Sequence, residues 1–183
     1  MFGRFDLERT GKFCMYSGAK CKELGKEEIF KMWGINEVEW AQNGNDNGAG
    51  WVITMWRRNF FRPSNITNES NYSIIEGQWR IREALHITIV NMYNFGLPTE
   101  KRVVWEVRER RREQNTKTWC VVGDFNSIRS LGERRNAEFE VNHRMEMRRF
   151  NEFIENMELV DIPMRWWEES TRGTNQMAWS RAK

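Results

Sequence analysis

With 183 residues, 39% hydrophobic and 30% charged, the chain is long enough for one domain with a real core and too apolar to be a disordered tail. Its net charge of +3 permits a nucleic-acid partner without demanding one. No apolar run approaches the ~20 residues that cross a bilayer, which leaves no membrane partner to expect.

The opening Met1-Phe2-Gly3-Arg4-Phe5-Asp6 lacks the apolar region of a signal peptide. Three cysteines, Cys14, Cys21 and Cys120, are an odd number without metal-ligand spacing. Together these features describe reduced thiols in an intracellular protein of the nucleus or cytoplasm.

Phe13-Cys14-Met15-Tyr16 fits a short strand. Residues 22–33 have helical spacing, with Leu24, Ile29, Phe30 and Met32 apolar and Gly34 as the stop. Residues 38–41 fit a second strand, residues 44–50 a turn-rich loop, and residues 51–56 a third strand. Phe60-Phe61 before Pro63 extends the sheet after a turn. Asn65, Asn68 and Asn71 each open an Asn-X-Ser/Thr triplet; without a secretory route they are expected to form a polar loop.

Residues 72–79 and 84–93 have the pattern of a hairpin. In the second arm Leu85, Ile87, Ile89 and Asn91 alternate with His86, Thr88, Val90 and Met92, which predicts a strand with one better-buried face. Pro98 suits the first position of a helix running to about Gln114. Residues 118–123 are an apolar strand, and residues 144–157 an amphipathic helix with Met147, Phe150, Ile154 and Met157 on one side. Leu159 to Pro163 leaves that helix, and Met177-Ala178-Trp179 makes a last strand. Many strands with a few helices predict a single domain over residues 1–183, an α/β or α+β sandwich with its helices outside. The arginine runs at 108–112 and 144–149 are either solvated helix faces or phosphate contacts.

The run Trp119-Cys120-Val121-Val122-Gly123-Asp124-Phe125-Asn126 carries the chemistry. An apolar strand ends in a glycine turn that presents a carboxylate and an amide two residues apart. Such a pair suits a hard cation and a phosphate. It is also what an ordinary Asx turn after a strand looks like.

With its flanking segments, this run resembles the endonuclease/exonuclease/phosphatase superfamily, and within it the endonuclease domain of plant LINE-type (non-LTR) retrotransposons. The matching segments are Lys31-Met32-Trp33-Gly34, the strand running to Trp56, Ile75-Glu76-Gly77, Val90-Asn91-Met92-Tyr93, and Lys101 to Trp105. They continue through Trp119 to Asn126, Glu133-Arg134-Arg135, Phe150-Asn151-Glu152-Phe153-Ile154, Glu158 to Pro163, and Ser180-Arg181. They follow the family's order over roughly residues 12–181.

The resemblance implies a two-sheet β-sandwich flanked by helices, a four-layer fold, with the active site at one end where strand-end loops converge. It implies Mg²⁺ or Mn²⁺ as cofactor, DNA as partner, and phosphodiester hydrolysis. By position, Asp124 would orient or deprotonate the attacking water, and Asn126 would hold a phosphate oxygen and steady Asp124. Tyr93 matches a tyrosine whose phenol reaches the phosphate, although a plain strand tyrosine fits as well. Arg134 and Arg135 would lie near the phosphate path, or else in a surface salt-bridge cluster.

The chain also departs from the family. Counting back from Trp33, the metal-ligand glutamate falls on Gly18, within Ser17-Gly18-Ala19-Lys20, and a glycine brings no side-chain oxygen. The chain begins after the family's opening asparagine strand and ends before its final Ser-Asp-His segment. His86 and His143 do not match the catalytic histidine. Ser180-Arg181-Ala182-Lys183 puts lysine where the family has an acid, and Asn94-Phe95 replaces an Ala-Pro. These departures predict an impaired endonuclease, incomplete at both ends. The alternatives are a non-catalytic nucleic-acid-binding remnant and a translated relic without a selected molecular function.

Overall fold

Short apolar segments separated by turns build two sheets, and what covers each sheet decides the pattern of its strands. The computed structural model describes residues 3–6, 13–17, 24–34, 37–43, 51–69, 72–80, 85–93, 118–130, 141–161 and 176–181. The first sheet holds β1 (Gly3–Asp6), β2 (Phe13–Ser17), β3 (Val38–Asn43) and β4 (Val52–Arg57) in the order β1-β2-β4-β3, all antiparallel. The second holds β5 (Phe61–Glu69), β6 (Tyr72–Trp79), β7 (Leu85–Tyr93), β8 (Thr118–Asp124), β9 (Val160–Asp161) and β10 (Gln176–Arg181). Its order is β5-β6-β7-β8-β10-β9, and its β7–β8 pair is parallel.

The outer face of the first sheet is closed by α1 (Lys26–Trp33). Glu28 reaches back to accept from the Gly25 N–H at 2.7 Å, and Glu27 and Glu28 sit in the first turn, where a carboxylate meets the positive end of the helix. The helix begins four residues later than its apolar spacing predicts. Gly25 is extended and caps it, and Leu24 is held to the Gln42 side chain in both directions, at 3.1 and 3.0 Å. Gly34 ends the helix at φ 87°, its N–H on the Phe30 carbonyl.

The outer face of the second sheet is closed by α2 (Val141–Asn156). Phe150, Phe153, Ile154 and Met157 pack on Tyr72, Ile74, Val90, Met92, Trp119 and Val121. A third cluster, including Phe13, Met15, Trp56, Phe61, Ile89 and Val122, fills the space between the sheets. The order helix, sheet, sheet, helix is the four-layer sandwich that the sequence resemblance implies.

Two further expectations need correction. Residues 61–69, including Asn65 and Asn68, form β5 rather than a polar loop. β5 is an edge strand with a register shift between Pro63 and Asn65, so a proline and solvent-facing asparagines cost it no ladder bond they were needed for. β7 is not one-sided: residues 87–92 are all buried, because one face meets the first sheet and the other meets α2. β1, which the sequence pattern does not announce, pairs with β2. The helix expected from Pro98 and the arginine run at 108–112 lie outside the described residues.

The two sheets are pinned at one end by side-chain amides. Asn91, 1% exposed on β7, donates from Nδ2 to the Ile53 carbonyl at 2.9 Å and to Thr54 Oγ1 at 3.1 Å, both on β4. Asn43 Nδ2 donates to the Tyr72 carbonyl at 3.4 Å. The gap between the sheets is therefore aromatic toward Trp56 and Trp79 and polar toward Asn91.

Candidate functional site

The polar end of the sandwich is where β7 and β8 finish. Their parallel register places Tyr93 beside Asp124. Alternation along β8 puts Cys120 and Val122 in the inter-sheet cluster and Trp119 and Val121 on the α2 side. Asp124 therefore shares the inter-sheet face, as Tyr93 does with Ile89 and Asn91. Asp124 is 6% exposed.

Gly123 is what lets the two strands close here. It has φ 142°, and a Cβ at this position would lie 1.8 Å from the Met92 carbonyl oxygen. No side chain fits between the strand ends.

Past Asp124 the chain turns sharply. Asn126 has φ 46°, and its N–H donates to Asp124 Oδ1 at 3.1 Å. Asparagine tolerates this left-handed geometry better than most residues. Phe125 plunges into the α2-side core, its ring 5.4 Å from Phe150, which leaves Asn126 exposed at the tip.

Helix α2 then fixes the following loop. Ser127 Oγ donates to Glu146 Oε1 at 2.8 Å. Arg129 Nε donates to Asn151 Oδ1 at 3.2 Å, while Asn151 Nδ2 donates to the Arg129 carbonyl at 3.0 Å. Sequence reasoning misses these clasps and the Asn91 clamp. The one available signal is Asn91 itself, an amide in an otherwise apolar inward-facing series.

Burial pushes the Tyr93 phenol pKa above its ordinary 10.0, and the neighbouring Asp124 carboxylate pushes the same way. At neutral pH Tyr93 is thus a neutral hydrogen-bond donor beside an acceptor carboxylate. The ensemble offers an acceptor (Asp124), an exposed amide (Asn126) and a phenol donor (Tyr93) at one end of the sandwich.

The end of β2 belongs to the same region. Ser17 pairs with Val52, Val52 pairs with Asn43, and Asn43 bonds to Tyr72, whose partner Met92 precedes Tyr93. Gly18, Arg134 and Arg135 lie outside the described residues. Among the described residues no group of three or more His, Cys, Asp or Glu side chains could hold a metal ion. Asp124 and Asn126 are hard oxygen donors, but one carboxylate and one amide do not by themselves make a divalent-cation site.

The C-terminal strand leads away from the site. β10 is antiparallel to β8, so Gln176 stands opposite Asp124, while Ser180 and Arg181 stand opposite Cys120 and Trp119. Lys183 lies outside the described residues.

No protein-family model matches the chain, and no curated protein matches it. Solved structures do. An endonuclease/exonuclease/phosphatase family protein from Bacteroides thetaiotaomicron superposes with a TM-score of 0.51 at 10% identity, over 84% of this chain and 64% of that one. The catalytic domain of human Nocturnin, with bound sulfate, gives 0.51 at 10% identity, over 83% and 63%. The endonuclease domain of TRAS1, a telomere-specific non-LTR retrotransposon, gives 0.51 at 15% identity, over 80% and 66%.

The chain has the fold of the endonuclease/exonuclease/phosphatase proteins, a retrotransposon endonuclease domain among them. It spans less than two thirds of the length of each of these three structures.

Proposed function

We propose that the chain descends from a DNA endonuclease of a LINE-type retrotransposon, closest to those of plants, and that its hydrolysis of phosphodiesters is impaired. It would act, or have acted, within the cell on DNA. The observation that carries this reading is the grouping of Tyr93, Asp124 and Asn126 at one end of the sandwich, with Asn126 held on the Asp124 carboxylate.

In this reading Asp124 orients the attacking water and accepts its proton. Exposed Asn126 donates to a phosphate oxygen, and the Tyr93 phenol donates to another. Arg134 and Arg135 would contact the phosphates alongside. A Mg²⁺ or Mn²⁺ ion, when bound, supplies Lewis-acid polarisation of the phosphate. The described residues do not complete a site for it, and Gly18 stands where the family has its glutamate. Partners in acid–base and charge-stabilising work act as a unit, so losing one removes most of the rate.

A second reading is nucleic-acid binding without cleavage. It is favoured by the exposed Arg144 and Arg148, one turn apart on α2, the helix that clasps the Asn126 loop. Supercoiled-plasmid nicking with Mg²⁺ and with EDTA, for folded wild type and Asp124→Ala, tests the proposal. The expected result is no metal-dependent nicking above that of Asp124→Ala. Nicking by the wild type that disappears in the variant would overturn the impairment.

A further inference from the structure

At the end of the sandwich opposite Asp124, three segments bring arginines together. β4 ends at Arg57, and Arg58 follows in a turn closed by the Phe60 N–H on the Arg57 carbonyl at 3.0 Å. Arg80, just past β6, donates its N–H to the Phe60 carbonyl at 2.8 Å. Arg62, one residue into β5, is the register partner of Gln78, two residues before Arg80. At about 3.3 Å per strand residue and 4.8 Å between strands, the Arg62 and Arg80 backbones are neighbours at one strand end; Arg57 and Arg58 end a strand of the other sheet, about 10 Å away at sheet-to-sheet spacing.

Two acids, Glu37 and Glu39, stand at this end against the four arginines; the Glu37 carbonyl accepts the Arg58 N–H at 3.4 Å. Glu39 takes Arg58 Nε at 2.9 Å and also accepts from Trp56 Nε1 at 3.1 Å. Glu76, the acid of neighbouring β6, is bonded to Asn65 instead. Arg62 and Arg80 are exposed and form no ion pair among the described residues. The Nε of Arg57 is buried with no hydrogen-bond partner among them. Half-buried Phe60 follows Arg57 and Arg58 in the chain and half-buried Trp79 precedes Arg80; Trp79 packs on the inter-sheet cluster, stacked on Phe13 with ring centres 5.3 Å apart.

We infer that this end of the sandwich is a second contact surface, and that its partner is a single nucleic-acid strand. Arginines take phosphates by their planar fork, and the chain places two half-buried aromatic residues next to them at this end. That combination suits a backbone with unstacked bases better than a duplex. The surface lies at the far end from Tyr93, Asp124 and Asn126 and does not depend on catalysis there. It lets the protein hold a strand away from the site end.

The test is fluorescence anisotropy with a short labelled single-stranded oligonucleotide over a series of salt concentrations. Wild type, Arg62→Ala/Arg80→Ala, Arg62→Lys/Arg80→Lys and Lys26→Ala are compared, each verified as folded by circular dichroism. The alanine pair should weaken binding at least tenfold. It should also make the slope of log affinity against log salt shallower by about 1.4, since each phosphate neutralised on a single strand contributes about 0.7. The lysine pair should keep the wild-type slope, and Lys26→Ala, which removes an exposed charge on α1, should bind as wild type does. Equal affinity and slope for wild type and the alanine pair would overturn the proposal. So would absence of strand binding by wild type, or equal displacement of the strand by polyglutamate. A loss in Lys26→Ala as large as in the alanine pair would make the binding a matter of net charge and overturn it as well.

Discussion

Tyr93 and Asp124 stand side by side at the carboxyl ends of β7 and β8, a parallel pair within an otherwise antiparallel sheet. In a parallel pair both strands end at the same edge. Two polar side chains from distant parts of the sequence therefore arrive at one place, on the face between the sheets. Three features keep that edge in position: Asn91 spans the sheets, Gly123 lets the strands close, and α2 holds the loop beyond.

The Tyr93 phenol should titrate above its ordinary 10.0, because burial and the Asp124 charge both disfavour the phenolate. A pKa raised by folding means a stability contribution that is full below the unfolded pKa and lost as pH rises through the folded one. The protein should therefore lose stability above about pH 10, and Tyr93→Phe should lose less over that range. Asp124→Asn should lower the Tyr93 pKa only part of the way, since burial is the larger cause. Ultraviolet difference titration of the phenol, with wild type and both variants, checks each statement. A Tyr93 pKa unmoved by Asp124→Asn would contradict their being neighbours.

Gly123→Ala should be far more damaging than Gly34→Ala, although both glycines have positive φ. At Gly34 nothing lies within 4 Å of an added methyl, so only backbone strain is incurred, about 1 kcal/mol. At Gly123 the methyl would meet the Met92 carbonyl, and the β7–β8 pair must part to admit it. A loss of at least about 3 kcal/mol is expected, read from urea midpoints at constant slope.

Asn91→Ala should cost about 2 kcal/mol, because it removes two buried hydrogen bonds and leaves the Ile53 carbonyl without the donor it had. Asn91→Asp should cost more, because it replaces two donors with a buried charge. Thermal and urea unfolding check the order. Equal stabilities for the two variants would contradict the inter-sheet clamp.

Much of this arrangement is legible in the residues. The strands at 13–16, 72–79 and 118–123 announce themselves by apolar runs between turn residues, and Asp124 and Asn126 by the glycine turn. What stays hidden is set by partners distant in sequence. β5 reads as a polar loop because an edge strand buries few of its side chains, so asparagines and a proline do not betray it. The alternation in β7 is blurred because α2 covers the face that would otherwise be wet. The direction of β10 follows from its pairing, which local pattern does not encode, and that direction takes Ser180-Arg181 away from the site. The clasps Ser127–Glu146 and Arg129–Asn151 join positions some twenty residues apart that share no motif.

The central claim is that a phosphodiesterase site survives in its Tyr93, Asp124 and Asn126 part and has lost its cation at Gly18. Calorimetric titration with Mg²⁺ of wild type, Gly18→Glu and Gly18→Glu/Asp124→Ala tests it most directly. The account predicts no saturable binding to wild type at millimolar Mg²⁺, binding to Gly18→Glu, and its loss when Asp124 is also removed. Saturable binding to the wild type as tight as to Gly18→Glu would contradict it, as would a Gly18→Glu chain that folds and still takes no Mg²⁺.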